Sequence, residues 1–248
     1  MSIDGTIIWL TWRQLFARRR LYLAAAFALT PLLLALVFRV LIPDPEAASG
    51  EFLTGLVRDF VIGTLLPLAA VIFGTTAFGG EVDDGTLVYL LVKPLPRWRV
   101  VVWKYVVAVL STAAVMVPAV LLPWLVVRTP ELPFRIPLSY LAGVGVGCLV
   151  YCAIFVALGL TTRRSLVFGL LYIVAIEMVL SRTIIGTKSL SVREFAISVA
   201  QSMGNGAVNL SPTPVSLPTV WIMGPVILVG AIVFTLWKLQ RFEVAERL

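Results

Sequence analysis

The chain has 248 residues, of which 60% are hydrophobic and only 13% are charged, and its mean hydropathy is +1.00. A water-soluble domain of this size needs more polar surface than that, so the composition excludes the soluble classes and predicts an all-α polytopic membrane protein. The net charge is +7, and the chain contains no histidine. The lack of histidine excludes histidine-based metal sites and Ser-His-Asp catalysis.

Residues 4–20 predict an amphipathic helix that lies on the membrane surface. Ile8, Trp12 and Phe16 recur at helical spacing, with arginines between and after them. Tryptophan beside arginine is typical of the membrane interface. Apolar runs of membrane-span length follow this helix. The six predicted spans are residues 21–42, 60–79, 100–127, 138–160, 166–180 and 219–237.

The basic residues predict which ends of the spans face the cytoplasm. With the N-terminus inside, most of the 20 Lys and Arg residues fall in inner segments, as the positive-inside rule expects. Six spans then place both termini in the cytoplasm, in a cell membrane of the plasma or inner type. The excess of Lys and Arg in the inner segments explains the positive net charge, so a nucleic-acid partner is not needed to explain it.

The same topology predicts a short outer loop over 43–59 and a longer outer segment over 181–218. Within the longer segment, residues 192–203 show helical periodicity. Ser191 and Glu194 form a capping-box pattern at its start. We expect this helix to pack on the outer leaflet or dip into it.

The stretch FGGEVDDGTLVYLLVKPLPR, residues 78–97, lies between the second and third spans and is cytoplasmic in this topology. Asp83 or Asp84 can cap a short helix over 84–92, and Pro94 ends it because a proline ring forbids continuation. Its apolar face needs the membrane surface, a partner protein or the rest of the bundle as cover. The leucines of that face are Leu87, Leu90 and Leu91.

The order of residues in this stretch resembles the motif of permease subunits of type-2 ABC transporters. The matching positions are Glu81, Asp84, Gly85, Thr86, Leu87, Leu90, Leu91, Pro94, Arg97 and Lys104. The resemblance implies that 84–92 is a coupling helix that docks on a separate ATPase subunit. It also implies export through a homodimer of permease chains, with ATP and Mg²⁺ bound by the ATPase and no cofactor in this chain. We hypothesise that Glu81 and Arg97, which flank the helix, pair to fix its angle.

No residue of the chain is predicted to be catalytic or to bind a metal. A P-loop requires G-x-x-x-x-G-K-[ST], and the nearest stretch, 186–189, lacks that spacing. Cys148 and Cys152 lie four residues apart in an apolar run, which favours packing over a disulfide or a zinc site.

Two features of the predicted spans carry further hypotheses. Gly143 and Gly147 form a small face that predicts close helix packing. Glu177 lies within the fifth span, where a carboxylate costs about 2.5–3.5 kcal/mol on insertion scales. It is a candidate to line the translocation path, to pair with Arg39 or Arg182, or to reach the outer interface.

Two other functions stay open from sequence. A secondary transporter or channel would normally show several intramembrane charges or an inverted repeat, and the sequence shows one acid within a span and no repeat. An intramembrane lipid-modifying enzyme would use clustered aspartates, such as Asp83 and Asp84. No further acid follows these two before Glu131, which disfavours the enzyme.

Overall fold

The computed structural model describes residues 18–42, 45–83, 96–128, 134–162, 164–180, 191–204, 210 and 215–245, and every element within them is helical. The elements in chain order are α1 (Arg18–Leu41), α2 (Pro45–Gly55), a first π-helical segment (Leu56–Leu65), α3 (Leu66–Asp83), α4 (Arg97–Val127), α5 (Arg135–Thr161), α6 (Ser165–Tyr172), a second π-helical segment (Ile173–Leu180), α7 (Val192–Met203) and α8 (Leu217–Ala245).

Five helical runs in the described chain are long and apolar enough to cross a membrane. They are Ala24–Leu41, Ala48–Val82, Arg97–Val127, Arg135–Thr161 and Leu217–Arg241. The predicted fifth span, 166–180, corresponds to a shorter apolar helix, Ser165–Glu177. The all-helical membrane class is therefore confirmed, and the sixth span stays a prediction.

The N-terminal boundary differs from the predicted one. Helix α1 begins at Arg18, so residues 18–20, which the sequence assigns to the interfacial helix, belong to the first membrane helix. The remainder of the interfacial helix predicted over 4–20 lies outside the described residues.

The second span is longer than predicted. Residues 45–59 of the expected loop over 43–59 are helical, so the prediction of a loop is wrong there, and residues 43 and 44 lie outside the described residues. Ala48–Val82 forms one helical run of 35 residues. Leu53 within it is 1% exposed, and Phe52 stacks on Phe38 of α1 with ring centroids 3.9 Å apart. This apolar packing stabilises a helix where the acids and glycine of the sequence suggest a loop.

Helix α5 is the centre of the bundle. It packs against α3, α4, α7 and α8, and it buries Tyr140, Tyr151 and Phe155. Helix α1 packs mainly on α4, and the apolar windows of α1 and α8 are only 22% and 17% buried. Those two helices therefore present broad apolar faces to the membrane.

Helix α7 lies against α5 at the two glycines that the sequence singles out. A Cβ atom on Gly143 would lie 2.3 Å from the carbonyl oxygen of Ala196 on α7. One on Gly147 would lie 3.6 Å from the Cβ atom of Ala196 and 2.4 Å from Leu66 Cδ2, which belongs to α3. The approach of the α7 backbone to Gly143 requires glycine. Residues 192–200 are almost all buried, so α7 packs inside the bundle and does not lie on its surface. The expectation of a helix that packs on the outer leaflet is wrong, and a helix that dips into that leaflet stays a prediction.

We expect Gly143→Ala to destabilise the protein by about 1–3 kcal/mol, because the added methyl group overpacks the contact between α5 and α7. Gly145→Ala on the same helix is the matched control, since nothing lies within 4 Å of a Cβ there. Thermal unfolding in detergent should show a lower Tm for the Gly143 variant and an unchanged or higher Tm for the Gly145 variant. Equal Tm values for the two would contradict the close contact.

Candidate functional site

A buried ion pair joins the end of the second span to the start of the third. Lys104 Nζ lies 2.7 Å from Glu81 Oε1, and the two side chains are 1% and 15% exposed. Glu81 lies in the last turn of α3, and Lys104 lies about two turns into α4. The pair therefore joins the two spans that flank residues 84–95 in the sequence.

The Lys104 ammonium has two further partners on α3. It donates a hydrogen bond to the carbonyl oxygen of Ala77, and it stands 4.7 Å from the centroid of the Phe78 ring. All three partners lie near the C-terminal end of α3, which carries the negative end of the helix dipole. A buried ammonium needs such compensation, because its desolvation is costly.

The structure gives Glu81 a different partner from the hypothesised one. The sequence hypothesis paired Glu81 with Arg97, whereas Glu81 binds Lys104. This pair could have been predicted from the sequence, because Lys104 lies within the predicted span 100–127. An ammonium among apolar residues needs a carboxylate, and Glu81 is the acid at the matching end of the preceding span.

The remaining motif residues lie outside the described residues. These are Asp84, Gly85, Thr86, Leu87, Leu90, Leu91 and Pro94. The coupling helix over 84–92 therefore stays a prediction. The spans on either side of it, α3 and α4, are described and pack against each other.

Glu177 binds the start of helix α7. Its side chain is buried, Oε2 accepts a hydrogen bond from the Ser191 hydroxyl at 2.6 Å, and Oε1 accepts one from the Val192 backbone N–H at 3.1 Å. Ser191 Oγ occupies the N-cap and accepts from the Glu194 N–H at 3.3 Å. A carboxylate at this position stabilises the positive end of the helix dipole.

A second carboxylate reaches the same helix start. Arg193 Nη2 donates to Asp59 Oδ1 at 3.0 Å. Asp59 lies in the first π-helical segment and Glu177 in the second, so each of these segments holds α7 through an acid. Short π-helical stretches occur frequently at functional sites. The sequence analysis missed this contact, because Asp59 and Arg193 are 134 residues apart.

The two hypothesised ion-pair partners of Glu177 are Arg39 and Arg182. Arg39 donates to the carbonyl oxygen of Val126, so it is engaged elsewhere, and Arg182 lies outside the described residues. Glu177 also interacts electrostatically with the fully buried Tyr151 hydroxyl. This geometry gives Glu177 a structural role at α7, and a role in the translocation path stays a prediction.

The described residues contain no group of three or more His, Cys, Asp or Glu side chains that could hold a metal ion. Cys148 and Cys152 are buried free thiols, and Cys152 Sγ lies 3.3 Å from the Thr112 hydroxyl. The polar contacts described above link one helix to another.

We expect Glu81→Gln and Lys104→Met each to lower stability by about 3–5 kcal/mol, because each leaves a buried charge without its partner. The double swap Glu81→Lys with Lys104→Glu restores opposite charges and should recover part of that loss. Thermal unfolding in detergent measures all three. A double swap that loses as much as the two single variants combined would contradict a direct pair.

We expect Glu177→Gln to loosen the first turn of α7, because it weakens two hydrogen bonds to a charged acceptor, with a loss of about 1–3 kcal/mol. Hydrogen exchange of the amides of 192–196 should become faster. Glu51→Gln makes the same chemical change at an exposed position and should leave exchange at α7 unchanged. Unaltered protection of these amides in Glu177→Gln would show that the carboxylate does not hold the helix.

The comparisons with known proteins agree with this architecture. No curated protein matches the chain. A family model described as ABC-2 family transporter protein matches residues 17–190. Proteins of this family are membrane components of ABC transporters and are generally non-catalytic. The matched residues make up well over half of the sequence and include Glu81, Lys104 and Glu177, and the chain belongs to the ABC-2 family of transporter proteins.

Proposed function

We propose that the chain is the permease subunit of an ATP-driven exporter. Two copies would form the translocation path, and separate ATPase subunits in the cytoplasm would supply the energy. The family membership supports the permease role. The observation that carries the coupling part of the proposal is the Glu81–Lys104 ion pair between the two spans that flank residues 84–95.

A segment that connects two helices moves both of them together when the helices are joined to each other near that segment. The Glu81–Lys104 pair and the hydrogen bond from Lys104 to Ala77 join α3 to α4 at this point. Loss of one member of a buried pair costs about 3–5 kcal/mol, so the junction resists separation. Closure of ATPases docked on 84–92 would therefore displace α3 and α4 as one unit.

The topology that this proposal requires has six spans, with Ser165–Glu177 as part of a short fifth span. Arg97 and Arg99 at the start of α4, and Lys238 and Arg241 at the end of α8, support a cytoplasmic position for these two ends. The exposed apolar faces of α1 and α8 fit contact with lipid and with a second permease chain.

A secondary transporter without an ATPase is the alternative. The observation in its favour is the polar group of Asp59, Glu177 and Arg193, which places more charge among the helices than the sequence suggests. These charges are engaged with one another or with the start of α7. That arrangement is better suited to fixing a helix than to a moving ion, so we favour the ATP-driven permease.

We expect a P-loop ATPase to co-purify with the wild-type chain from mildly solubilised membranes. The variant with Leu87, Leu90 and Leu91 changed to serine should lose it, because the apolar face that would dock on the ATPase is removed. A control variant, Met203→Ser with Leu217→Ser, alters exposed apolar residues elsewhere and should retain it. If the wild type brings down no ATPase, the secondary transporter becomes the better account.

A further inference from the structure

A cavity of about 160 Å³ lies between α5, α7 and α8. Val146 and Val150 line it from α5, Val199 lines it from α7, and Trp221 and Leu228 line it from the first half of α8. Every residue that lines the cavity is apolar or glycine. Because α5 and α8 are both long and apolar enough to cross a membrane, the cavity faces hydrocarbon and not water.

The cavity has a buried floor and an exposed rim. On the floor, Val150 and Val199 are 2% and 6% exposed, whereas Leu149 and Trp221 on the rim are 42% and 67% exposed. A molecule can therefore enter from the membrane that surrounds the bundle. Trp221 lies in the first turns of α8, where tryptophan is typical of the membrane interface. The helix rises by about 10 Å from Trp221 to Leu228, so the cavity extends from the interface into the hydrocarbon layer.

Gly224 of α8 explains why the cavity exists. This glycine lines the cavity and is buried, yet a Cβ atom placed on it would meet no other atom within 4 Å. The space beside it is therefore free of protein atoms. The next residue, Pro225, cannot donate an N–H to the carbonyl oxygen of Trp221, and a proline ring inside a helix favours a kink. Helix α8 thus lacks a side chain here that would fill the gap against α5 and α7.

The lining and the volume of the cavity favour a hydrocarbon as its ligand. Apolar cavities of about 150 Å³ remain free of water and bind a molecule as large as benzene, so this cavity has room for a segment of an alkyl chain. A polar headgroup would lose its hydrogen bonds among these residues, which is costly. An alkyl chain loses none, and it gives the lining atoms dispersion contacts that they otherwise lack.

We propose that this cavity binds an acyl chain of a membrane phospholipid. The chain enters between Leu149 and Trp221 and contacts Val150 and Val199 on the floor, while the headgroup stays at the interface. A side chain from a second copy of the protein is the other apolar candidate, but the helix that carries it would have to approach past the exposed Trp221. Acyl chains are flexible and already surround the rim. This site requires neither the ATPase nor transport, so it is independent of the proposed function.

The test is photo-crosslinking of the full-length chain in phosphatidylcholine vesicles. The probe is a phosphatidylcholine with a photoreactive diazirine in one acyl chain, and mass spectrometry identifies the labelled residues. Lipid at the bundle surface cannot reach Val150 and Val199, because these side chains are 2% and 6% exposed. Labelling of these two residues therefore reports a chain inside the cavity, and we expect it in the wild type. The absence of labelling there would overturn the proposal.

Gly224→Leu fills the cavity and has a matched control, Gly230→Leu, on the same helix. A Cβ atom at either position meets nothing within 4 Å, but of the two glycines only Gly224 lines the cavity. We expect Gly224→Leu to lose the labelling of Val150 and Val199, and Gly230→Leu to keep it. Leu33, which is exposed on α1, should be labelled equally in all three proteins. Unchanged labelling of the floor in Gly224→Leu would overturn the site.

A second probe distinguishes an acyl chain from a headgroup, and it needs only the wild type, so it remains decisive if a variant fails to fold. A phosphatidylcholine with the diazirine on its headgroup should label Trp221 and leave Val150 and Val199 unlabelled. Headgroup labelling of those two valines would show that the cavity admits a polar group and would overturn the proposal. If neither probe labels the floor and Gly224→Leu loses the dimer, the cavity belongs to a second permease chain.

Discussion

Lys104 carries a positive charge into the apolar interior of the bundle, and the arrangement of the second and third spans depends on how that charge is compensated. Glu81 supplies the opposite charge, Ala77 supplies a carbonyl oxygen and Phe78 supplies the face of its ring. All three lie near the end of α3, so α4 can enter the membrane only in a position that brings Lys104 to them. The end of α3 and the first turns of α4 are thereby held together.

The same principle acts at the far side of the bundle, with the signs reversed. Glu177 carries a carboxylate into an apolar environment, and the start of α7 compensates it through Ser191 and the Val192 N–H. Asp59 adds a second acid that binds Arg193. Asp59 lies in the first π-helical segment and Glu177 lies in the second. Both π-helical segments therefore contact α7 through an acid. Polar contacts thus fix α7 at its N-terminus, and the close contact with Gly143 of α5 fixes its packing.

The sequence predicted most of the helices, because long apolar runs have few alternatives in a membrane. It did not predict the helix of 45–55, since the contacts that stabilise that helix come from Phe38 and other distant residues. The burial of α7 was missed for a similar reason. Amphipathic periodicity shows that one face is apolar, but it does not show that the polar residues of the other face have partners elsewhere in the bundle. Glu81 and Lys104 were both identified as motif residues in the sequence. Their pairing could not be predicted there, because it depends on how α3 and α4 lie relative to each other.

We propose that the Glu81–Lys104 pair transmits movement from the ATPase to the spans. The most direct measurement is the transport-linked stimulation of ATPase activity in proteoliposomes that contain the complex with wild-type, Glu81→Gln, Lys104→Met or doubly swapped permease. We expect the single variants to bind the ATPase still but to lose most of the stimulation, and we expect the double swap to recover a large part of it. Full stimulation in a single variant that folds and binds the ATPase would show that the pair does not transmit this movement.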